Sequence, residues 1–282
     1  IDKLKISGNK EPEINLKAVK QETDYGKFGP AAFSKDGSVA IIPWNSPEGR
    51  RMLIESRYNA SFFFLAHTFQ SQRNPFFASV ACMVNVLNAL RLDRGVIPDN
   101  KERSVKLFDR DTGDIREFTF NIYTQNTFLD DETDQIKGRK KIAPLIKDEV
   151  AYVDFEEFNP GLSLMQVKQI LEIYKCQVEL YYARNNTEKG IIVFRDLLQE
   201  VLTSNKKFII ANFYGEHIGM HQAGHYATIG AYHKKSDSVL MLDSAAHKAP
   251  WFWVNIEHLY HAMNTVAREG NKRGFIVVED TV

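Results

Sequence analysis

The last quarter of the sequence consists of short apolar segments separated by polar turns, and this pattern limits the fold more than any other feature. Each segment has the alternation or the short apolar run that is typical of a β-strand. The segments are KFIIANFY, GHYATIGAYH, SVLMLDS, PWFWV and GFIVVED, between residues 207 and 280. One helical pattern, IEHLYHAMNTV, interrupts them. The short turns between neighbouring segments predict antiparallel pairing.

Helical patterns dominate the first half of the chain. The segment SPEGRRMLIESR begins with Ser46 as N-cap and Pro47 at the first helical position, which are helix start signals. Apolar residues then recur at a spacing of three to four, at Val80, Met83, Val84, Leu87 and Leu90. This spacing predicts a buried helix. Further predicted elements are the strands VAIIPW and CQVELYYA and the helices LSLMQVKQILEIYK, capped by Ser163, and VFRDLLQEVLTS. Helices first and strands later indicate an α+β fold without regular βαβ units.

We expect one domain with a surface extension. Residues 1–37 are polar and weakly periodic, and we interpret them as an extension of a domain that runs from Ser38 to residue 282. Residues 92–119 are rich in charge, Gly and Pro, which predicts an insertion or a solvent-facing hairpin. The spacing of Gly215, Gly219 and Gly224 does not match a dinucleotide-binding loop.

Composition argues against several classes of partner. The 282 residues contain 36 Lys and Arg against 36 Asp and Glu, so no net field favours nucleic acid or an acidic membrane surface. No apolar run reaches the length of a bilayer-spanning helix, and the first residues lack the apolar core of a signal peptide. The sequence does not decide the cellular compartment. The cytoplasm is one alternative, and the periplasm or the exterior is another if an upstream segment is removed. Cys82 and Cys176 are too few for a disulfide framework and are expected to be buried.

The stretch FQSQRNPFFASVACMVNVLNAL, residues 69–90, has the features of a helix that carries the nucleophile of a cysteine hydrolase, except that Ala78 stands at the nucleophile position. Such an enzyme needs a thiolate at a helix N-terminus, an imidazole, a group that orients the imidazole and donors for an oxyanion. The candidate base is His225, which enters a strand after Gly224. The candidate orienting group is Asp243, at the end of the next strand.

The remaining group in this set is the oxyanion donor. Gln72 lies six residues before position 78, and its amide is the candidate donor together with the backbone N–H of residue 78. Each residue alone is a weak signal, because a strand His and a strand-ending Asp are commonly structural. The order Gln, helix start, His, Asp is much more specific.

These residues make the chain resemble the phytochelatin synthases, whose catalytic domain has a papain-like fold. The resemblance runs from about residue 40 to residue 279 and includes NSPEGRRMLIESR, NVLNAL, YTQNTFLDD, GHYATIGAYHKKSDSVLMLD, WFWV and AMNTVAREGNKRGF. It implies transfer of a γ-glutamylcysteinyl unit from glutathione, with release of glycine, to a second glutathione or, as in many short bacterial members, to water. A gap-free alignment of NVLNAL puts Ala78 on the catalytic Cys. His225 and Asp243 match the other two triad members, and Gln72 matches the oxyanion donor.

A chain with Ala78 is expected to be inert, because removal of a triad nucleophile costs on the order of 10⁶ in rate. Cys82 lies one helical turn deeper in the apolar face and is not expected to replace it. Ala78 is either an engineered replacement of Cys or the mark of a natural pseudoenzyme that binds a thiol or a peptide. The retained His225, Asp243 and Gln72 favour the replacement. A papain-like peptidase with another substrate is a further alternative.

Substrate recognition departs from the family pattern. Of the family's γ-glutamyl-binding residues, Arg273 is retained, but the alignment gives Gly215 in place of an Arg and Ala267 in place of an Asp. The expected partner is a small thiol peptide such as glutathione, and a homodimer is an open alternative.

The resemblance requires no cofactor. A heavy-metal ion, Cd²⁺ or Zn²⁺, is expected only as an activator or as part of a metal-thiolate substrate. His217, His221 and His225 recur every four residues, as metal ligands on one helix face would. Glycines interrupt that segment, so no dedicated metal site is expected.

Overall fold

The computed structural model describes residues 41–97, 104–119, 121–142, 161–184, 187–220, 224–267 and 270–282. The predicted extension, residues 1–37, and His221 lie outside these ranges. The strands are β1 (Ile42–Pro43), β2 (Ser104–Phe108), β3 (Ile115–Thr119), β4 (Cys176–Tyr182), β5 (Lys207–Tyr214), β6 (Gly224–His233), β7 (Ser238–Asp243), β8 (Phe252–Asn255) and β9 (Gly274–Asp280). The helices are α1 (Pro47–Glu55), α2 (Ala60–His67), α3 (Ala78–Arg91), α4 (Arg139–Ile142), α5 (Leu164–Ile173), α6 (Thr187–Val201) and α7 (Ile256–Met263).

The main sheet of the described chain has seven strands in the order β1-β8-β7-β6-β5-β9-β4, and every neighbouring pair is antiparallel. The five strands predicted in the last quarter of the chain form the continuous block from β8 to β9. The pairing of β6 with β7 contains a bulge, because Ile229 faces Met241 and Ala231 faces Leu240, which leaves Gly230 as an extra residue.

Both faces of this sheet are covered. Successive residues of a strand point to opposite faces, and on β5 Phe208 and Ile210 belong to one hydrophobic cluster while Ile209 and Ala211 belong to the other. Helices α3 and α5 contribute to the first cluster, and α6 and α7 contribute to the second. Buried apolar side chains therefore hold helices on the two sides of one antiparallel sheet. The antiparallel sheet agrees with the predicted α+β class, although α6 and α7, from the second half of the chain, also cover it. This arrangement is consistent with the papain-like fold that the resemblance implies.

The predicted helix caps are present. The Ser46 side chain accepts a hydrogen bond from the Gly49 N–H at the start of α1. Ser163 forms a reciprocal capping box with Gln166 at the start of α5. None of the described helices combines the length and the apolar character that crossing a bilayer requires.

The charged segment contains a hairpin. Strands β2 and β3 pair from Ser104 with Thr119 to Phe108 with Ile115, separately from the main sheet. The hairpin exposes large apolar side chains, at Val105, Leu107, Phe108, Ile115 and Phe118. The solvent-facing hairpin is therefore present over residues 104–119.

Helices α6 and α2 differ from the sequence prediction. Helix α6 begins at Thr187 rather than at residue 193, and it contains Gly190, which is unfavourable in a helix interior. A Cβ at Gly190 would lie 1.8 Å from the Tyr260 hydroxyl oxygen, so close packing of α6 on α7 accounts for this glycine. Helix α2 was not predicted, because ASFFFLAH is apolar around most of its surface and has no helical period.

Candidate active site

His225 and Asp243 form a buried hydrogen-bonded pair. The Nε2 atom of His225 lies 2.7 Å from Oδ1 of Asp243. The register of β6 and β7 produces this contact, because Ala227 faces Asp243 and His225 stands two residues earlier on the same side of β6. The exposed fractions of the two residues are 5% and 1%. The two candidates are thus side by side, as the short turn between their strands predicts.

The surroundings of Asp243 favour its ionised form. Burial opposes ionisation, but the His225 ring and the Ala245 N–H, which donates to Oδ1 at 2.8 Å, together hold the pKa of Asp243 below its usual value. An ionised carboxylate can only accept hydrogen bonds. The Nε2 atom of His225 therefore carries the proton, and Nδ1 is the ring nitrogen left to act as a base.

Hydrogen bonds hold Gln72 next to this pair. Its backbone N–H donates to the Ser244 carbonyl oxygen at 2.9 Å, and its side-chain Oε1 accepts from the Ser244 hydroxyl at 3.1 Å. Its Nε2 donates to the Asn74 carbonyl oxygen at 3.0 Å. An amide nitrogen has two donor hydrogens, so one remains for a further acceptor. Because Ser244 directly follows Asp243, the hydrogen bonds between Gln72 and Ser244 join the loop that carries Gln72 to the end of β7.

Ala78 is the first residue of α3, which packs against β6, the strand that carries His225. Ala78 shares a hydrophobic cluster with Tyr226 and Leu242, the neighbours of His225 and Asp243 in the chain. The N-cap residue Phe77 makes no side-chain hydrogen bond to the first turn of α3. The backbone N–H groups of a helix start attract negative charge, so position 78 suits a thiolate and an oxyanion.

Amide side chains of α3 brace the loop that carries Gln72 and the segment at Tyr123, and sequence reasoning did not identify them. The Asn85 side chain accepts from the Gln70 N–H at 2.7 Å and donates to the Gln70 carbonyl oxygen at 3.1 Å. Asn88 makes the same two bonds to the backbone of Tyr123, at 2.8 and 2.9 Å. These are the two asparagines of the NVLNAL motif, and both are buried. Their presence on an apolar helix is the signal that could have revealed this role.

Gln125 completes the bracing from a second loop. Its Nε2 donates to the Ser71 carbonyl oxygen at 2.8 Å, and its Oε1 accepts from the Arg73 N–H at 2.9 Å. Gln125 therefore forms hydrogen bonds with the backbone of the residues on both sides of Gln72. It belongs to the motif YTQNTFLDD, and its buried amide gives that motif a structural role.

The cysteines of the chain are buried, as predicted. Burial and the nearby Asp243 carboxylate raise the pKa of the Cys82 thiol well above its usual value. Burial raises the pKa of Cys176 to about 12. Neither residue is a thiolate near neutral pH, and thiolate is the nucleophilic form.

Arg273 lies beside the start of β6 and is buried, with an exposed fraction of 6%. Its Nη1 donates to the Thr265 hydroxyl at 3.0 Å, and its guanidinium stands 5.4 Å from the centre of the Tyr214 ring. A Cβ at Gly224 would lie 2.9 Å from Nη2 of Arg273. Gly224 thus permits the close approach of the Arg273 guanidinium.

The two substituted recognition positions offer no charge to a substrate. Gly215 is buried and begins a short 3₁₀ turn, Gly215–Ile218. The Ala267 N–H donates to the Asn271 carbonyl oxygen at 2.7 Å. The three-histidine segment is not one helix, because His217 lies in the 3₁₀ turn and His225 lies on β6. Over the described ranges, no cluster of three His, Cys, Asp or Glu side chains could hold a metal ion.

Comparisons with known proteins agree with the resemblance. Glutathione gamma-glutamylcysteinyltransferase 1 of Lotus japonicus is 26% identical over 246 residues, which cover 86% of this chain and 41% of that protein. The protein of the same name from Triticum aestivum is 27% identical over 245 residues, with coverage of 86% and 41%. The corresponding protein of Schizosaccharomyces pombe is 22% identical over 232 residues, with coverage of 81% and 45%. The matches span less than half the length of these relatives. The family model for phytochelatin synthase matches residues 38–275, and the chain belongs to that family.

Proposed function

We propose that this chain has the active site of a cysteine acyltransferase that acts on glutathione or a related γ-glutamyl thiol peptide, with Ala78 in place of the nucleophile. The observation that carries the proposal is the buried His225–Asp243 pair. His225 lies on β6, and the helix that begins at residue 78 packs against that strand. The names of the matched relatives support the same donor. Within this proposal, residues 38–282 form the catalytic domain, the charged segment 92–119 is an insertion in it, and residues 1–37 form an extension.

The first half of the reaction needs a thiol at position 78. The Nδ1 atom of His225 would take the thiol proton, and the thiolate would attack the carbonyl carbon that precedes the leaving glycine. The imidazolium would then return the proton to the departing amine, so glycine leaves and a thioester remains. Asp243 would hold the imidazole in the tautomer with the proton on Nε2 and would stabilise the imidazolium.

The second half repeats the chemistry with an acceptor. His225 would remove a proton from water or from the α-amino group of a second glutathione, and the acceptor would attack the thioester carbonyl. The C–S bond would then break, and the thiolate of residue 78 would leave and recover the proton from His225. Hydrolysis releases γ-glutamylcysteine, while transfer extends the peptide. In both halves, the Nε2–H of Gln72 and the backbone N–H of residue 78 would donate to the oxyanion. Arg273 would bind the donor carboxylate.

The proposed reaction needs no resident metal or organic cofactor. A heavy-metal ion such as Cd²⁺ or Zn²⁺ would enter as a thiolate complex of the substrate or would act as an activator. The protein residues that we assign to the chemistry hold and move protons and bind charge, and these roles do not require a metal ion.

With Ala78, the chain should bind the donor without turning it over, because a methyl group cannot attack a carbonyl. If the alanine is natural, the same site would serve a thiol-binding or peptide-binding protein. A cysteine codon at position 78 of the natural gene would assign Ala78 to a replacement, and an alanine codon would assign it to a natural binding protein.

The test of the proposal is Ala78→Cys. We expect this variant to release glycine from glutathione and to accumulate a thioester that mass spectrometry detects, whereas the unmodified chain should do neither. The rate difference should be on the order of 10⁶, or as large as the assay can measure. Assays with and without Cd²⁺ show whether the metal ion changes the rate.

Two controls accompany this assay. The unmodified chain retains Cys82 and therefore tests whether that thiol contributes. The double variant Ala78→Cys/His225→Ala should lose the activity, because the thiol then lacks its base. If folded Ala78→Cys protein gives neither glycine nor thioester with glutathione and other γ-glutamyl peptides, the proposed function is wrong.

A further inference from the structure

The Ser244 side chain is buried and bonds to the proposed oxyanion donor. Its exposed fraction is 0%, and its hydroxyl oxygen lies 3.1 Å from Oε1 of Gln72. An amide oxygen can only accept a hydrogen bond, so the hydroxyl donates. The Ser244 carbonyl oxygen also accepts the backbone N–H of Gln72 at 2.9 Å. Ser244 therefore holds both the main chain and the side chain of Gln72.

The nitrogen end of the Gln72 amide has a different partner. Its Nε2 donates to the Asn74 carbonyl oxygen at 3.0 Å, which determines the end of the amide that carries the nitrogen. The last torsion of a Gln side chain has only a broad preference of its own, so this bond alone lets the amide pivot. The bond from Ser244 holds the oxygen end. Together the two bonds fix the plane of the amide, and the plane fixes the direction of the second N–H.

Burial makes the hydroxyl of Ser244 difficult to replace. Gln72 has an exposed fraction of 8%, so water has little access to this contact. Loss of the hydroxyl would leave a buried amide oxygen without a donor. A hydrogen bond to Oε1 also polarises the amide and strengthens the donation from its N–H groups. The hydroxyl therefore acts on the direction and on the strength of the second N–H.

We infer that the Ser244 hydroxyl orients the Gln72 side-chain amide, so that Ser244 is a positioning residue for the oxyanion donor. The inference rests on the proposed function for the role of Gln72, and it adds a residue to that function. Ser244 directly follows Asp243, which bonds to His225. Two consecutive residues at the end of β7 therefore position the imidazole and the oxyanion donor.

The first measurement needs no turnover and uses the unmodified chain. Nitrogen relaxation by NMR gives the order of the Gln72 side-chain amide, whose signals are assigned by their loss in Gln72→Ala. We expect this amide to be ordered in the parent, and to become mobile with shifted signals in Ser244→Ala. If the alanine variant does not fold, Ser244→Cys replaces it, because a thiol is a weak donor of similar size.

The matched control is Ser238→Ala, at the other end of β7. The Ser238 hydroxyl is also buried and donates to the Ser236 carbonyl oxygen at 3.0 Å. Its removal takes one buried hydroxyl from the same strand without touching Gln72. The order of the Gln72 amide and the kinetics should both stay as in the parent.

The second measurement is kinetic and uses the Ala78→Cys background. Ser244→Ala should lower kcat for glycine release by about ten-fold and leave KM nearly unchanged, because the oxyanion forms only during the reaction. The pH profile of kcat should keep its shape, since the His225–Asp243 contact is untouched. Gln72→Ala should lower kcat by roughly 10²–10³. Adding Ser244→Ala to Gln72→Ala should then change kcat no further.

Two outcomes would overturn the inference. One is an equally ordered Gln72 amide in Ser244→Ala. The other is the same ten-fold loss of kcat when Gln72 is already alanine, because Ser244 would then act through the fold rather than through the amide. If Ala78→Cys releases no glycine, the proposed function fails, and the relaxation measurement still decides whether Ser244 orients the amide.

Discussion

At the scale of single residues, Asp243 is ionised where burial opposes ionisation. Its Oδ1 accepts two hydrogen bonds, whereas its buried Oδ2 has no partner. The interaction with His225 therefore supplies much of the stabilisation of the ionised Asp243 carboxylate. The same hydrogen bond fixes the tautomer that leaves Nδ1 as a base, so the stability and the chemistry of this site depend on one contact.

The lowered pKa of Asp243 predicts an acid-dependent stability. Its folded-state pKa lies below the ordinary value of 3.8, so the unfolded chain binds more protons at pH values between the two. The contribution of Asp243 is fully present above that ordinary value and is lost as the pH falls through the folded-state pKa. We expect Asp243→Asn to have a lower free energy of unfolding than the parent at neutral pH. In acid the difference between the two should become smaller.

Urea unfolding at a series of pH values measures this effect. The exposed control Asp131→Asn should follow the parent at every pH. A stability difference between Asp243→Asn and the parent that stays constant from neutral pH into acid would contradict the assigned charge state.

The site residues differ in how far the sequence could predict them. His225 and Asp243 stand in strand patterns with a short turn between them, so their contact follows from pairing. The partners of Asn85 and Gln125 are backbone atoms of distant loops, and nothing in the sequence marks which backbone atom accepts. Ser244 was missed for the same reason, because its carbonyl oxygen is what holds Gln72.

At the scale of elements, α3 both begins at the proposed nucleophile position and braces the loop that carries Gln72, the proposed oxyanion donor. We expect Asn85→Ala to lower the free energy of unfolding by about 1–3 kcal/mol, because two backbone groups of Gln70 lose their partner. In the Ala78→Cys background it should lower kcat more than it changes KM, because in the proposed mechanism Gln72 donates to the oxyanion. Denaturation and steady-state kinetics measure the two effects.

The matched control for Asn85→Ala is Gln177→Ala, which removes an exposed amide from β4. It should change neither stability nor kinetics. An Asn85→Ala variant with normal kcat would show that the loop is held without this helix.

Strands and capped helices were predictable because their signals are local. Ser46 and Ser163 mark helix starts through side-chain bonds to nearby backbone atoms. The early start of α6 was not predictable, since Gly190 is unfavourable in a helix and only its contact with Tyr260 explains it. Helix α2 was missed because an amphipathic period requires a polar face, and this helix exposes Phe63.

At the scale of the whole molecule, a buried ion pair joins the helical layer to the last strand. Arg91, at the end of α3, bonds to Asp280 at 2.8 Å, and both side chains have an exposed fraction of 5%. The guanidinium also bonds to the Tyr123 hydroxyl at 2.9 Å. Removal of one partner leaves a buried charge, so Asp280→Ala should cost about 3 kcal/mol in the free energy of unfolding.

The control for Asp280→Ala is Asp131→Ala, which breaks an ion pair whose carboxylate is 97% exposed. Pairs at the surface contribute little, so this variant should unfold with the parent. Equal urea midpoints for Asp280→Ala and the control would mean that the Arg91 pair does not connect the two layers.

The bulge at Gly230 determines which face of the sheet the His225 side chain points to. Strand residues point alternately to two sides, and an extra residue exchanges those sides for everything that precedes it. If Gly230 were paired regularly with β7 instead of forming a bulge, Thr228 would face Asp243, and Gly224 and Tyr226 would lie on the side of β6 that His225 and Ala227 now take. The imidazole would turn away from Asp243, although every residue of the pair would still be present in the sequence.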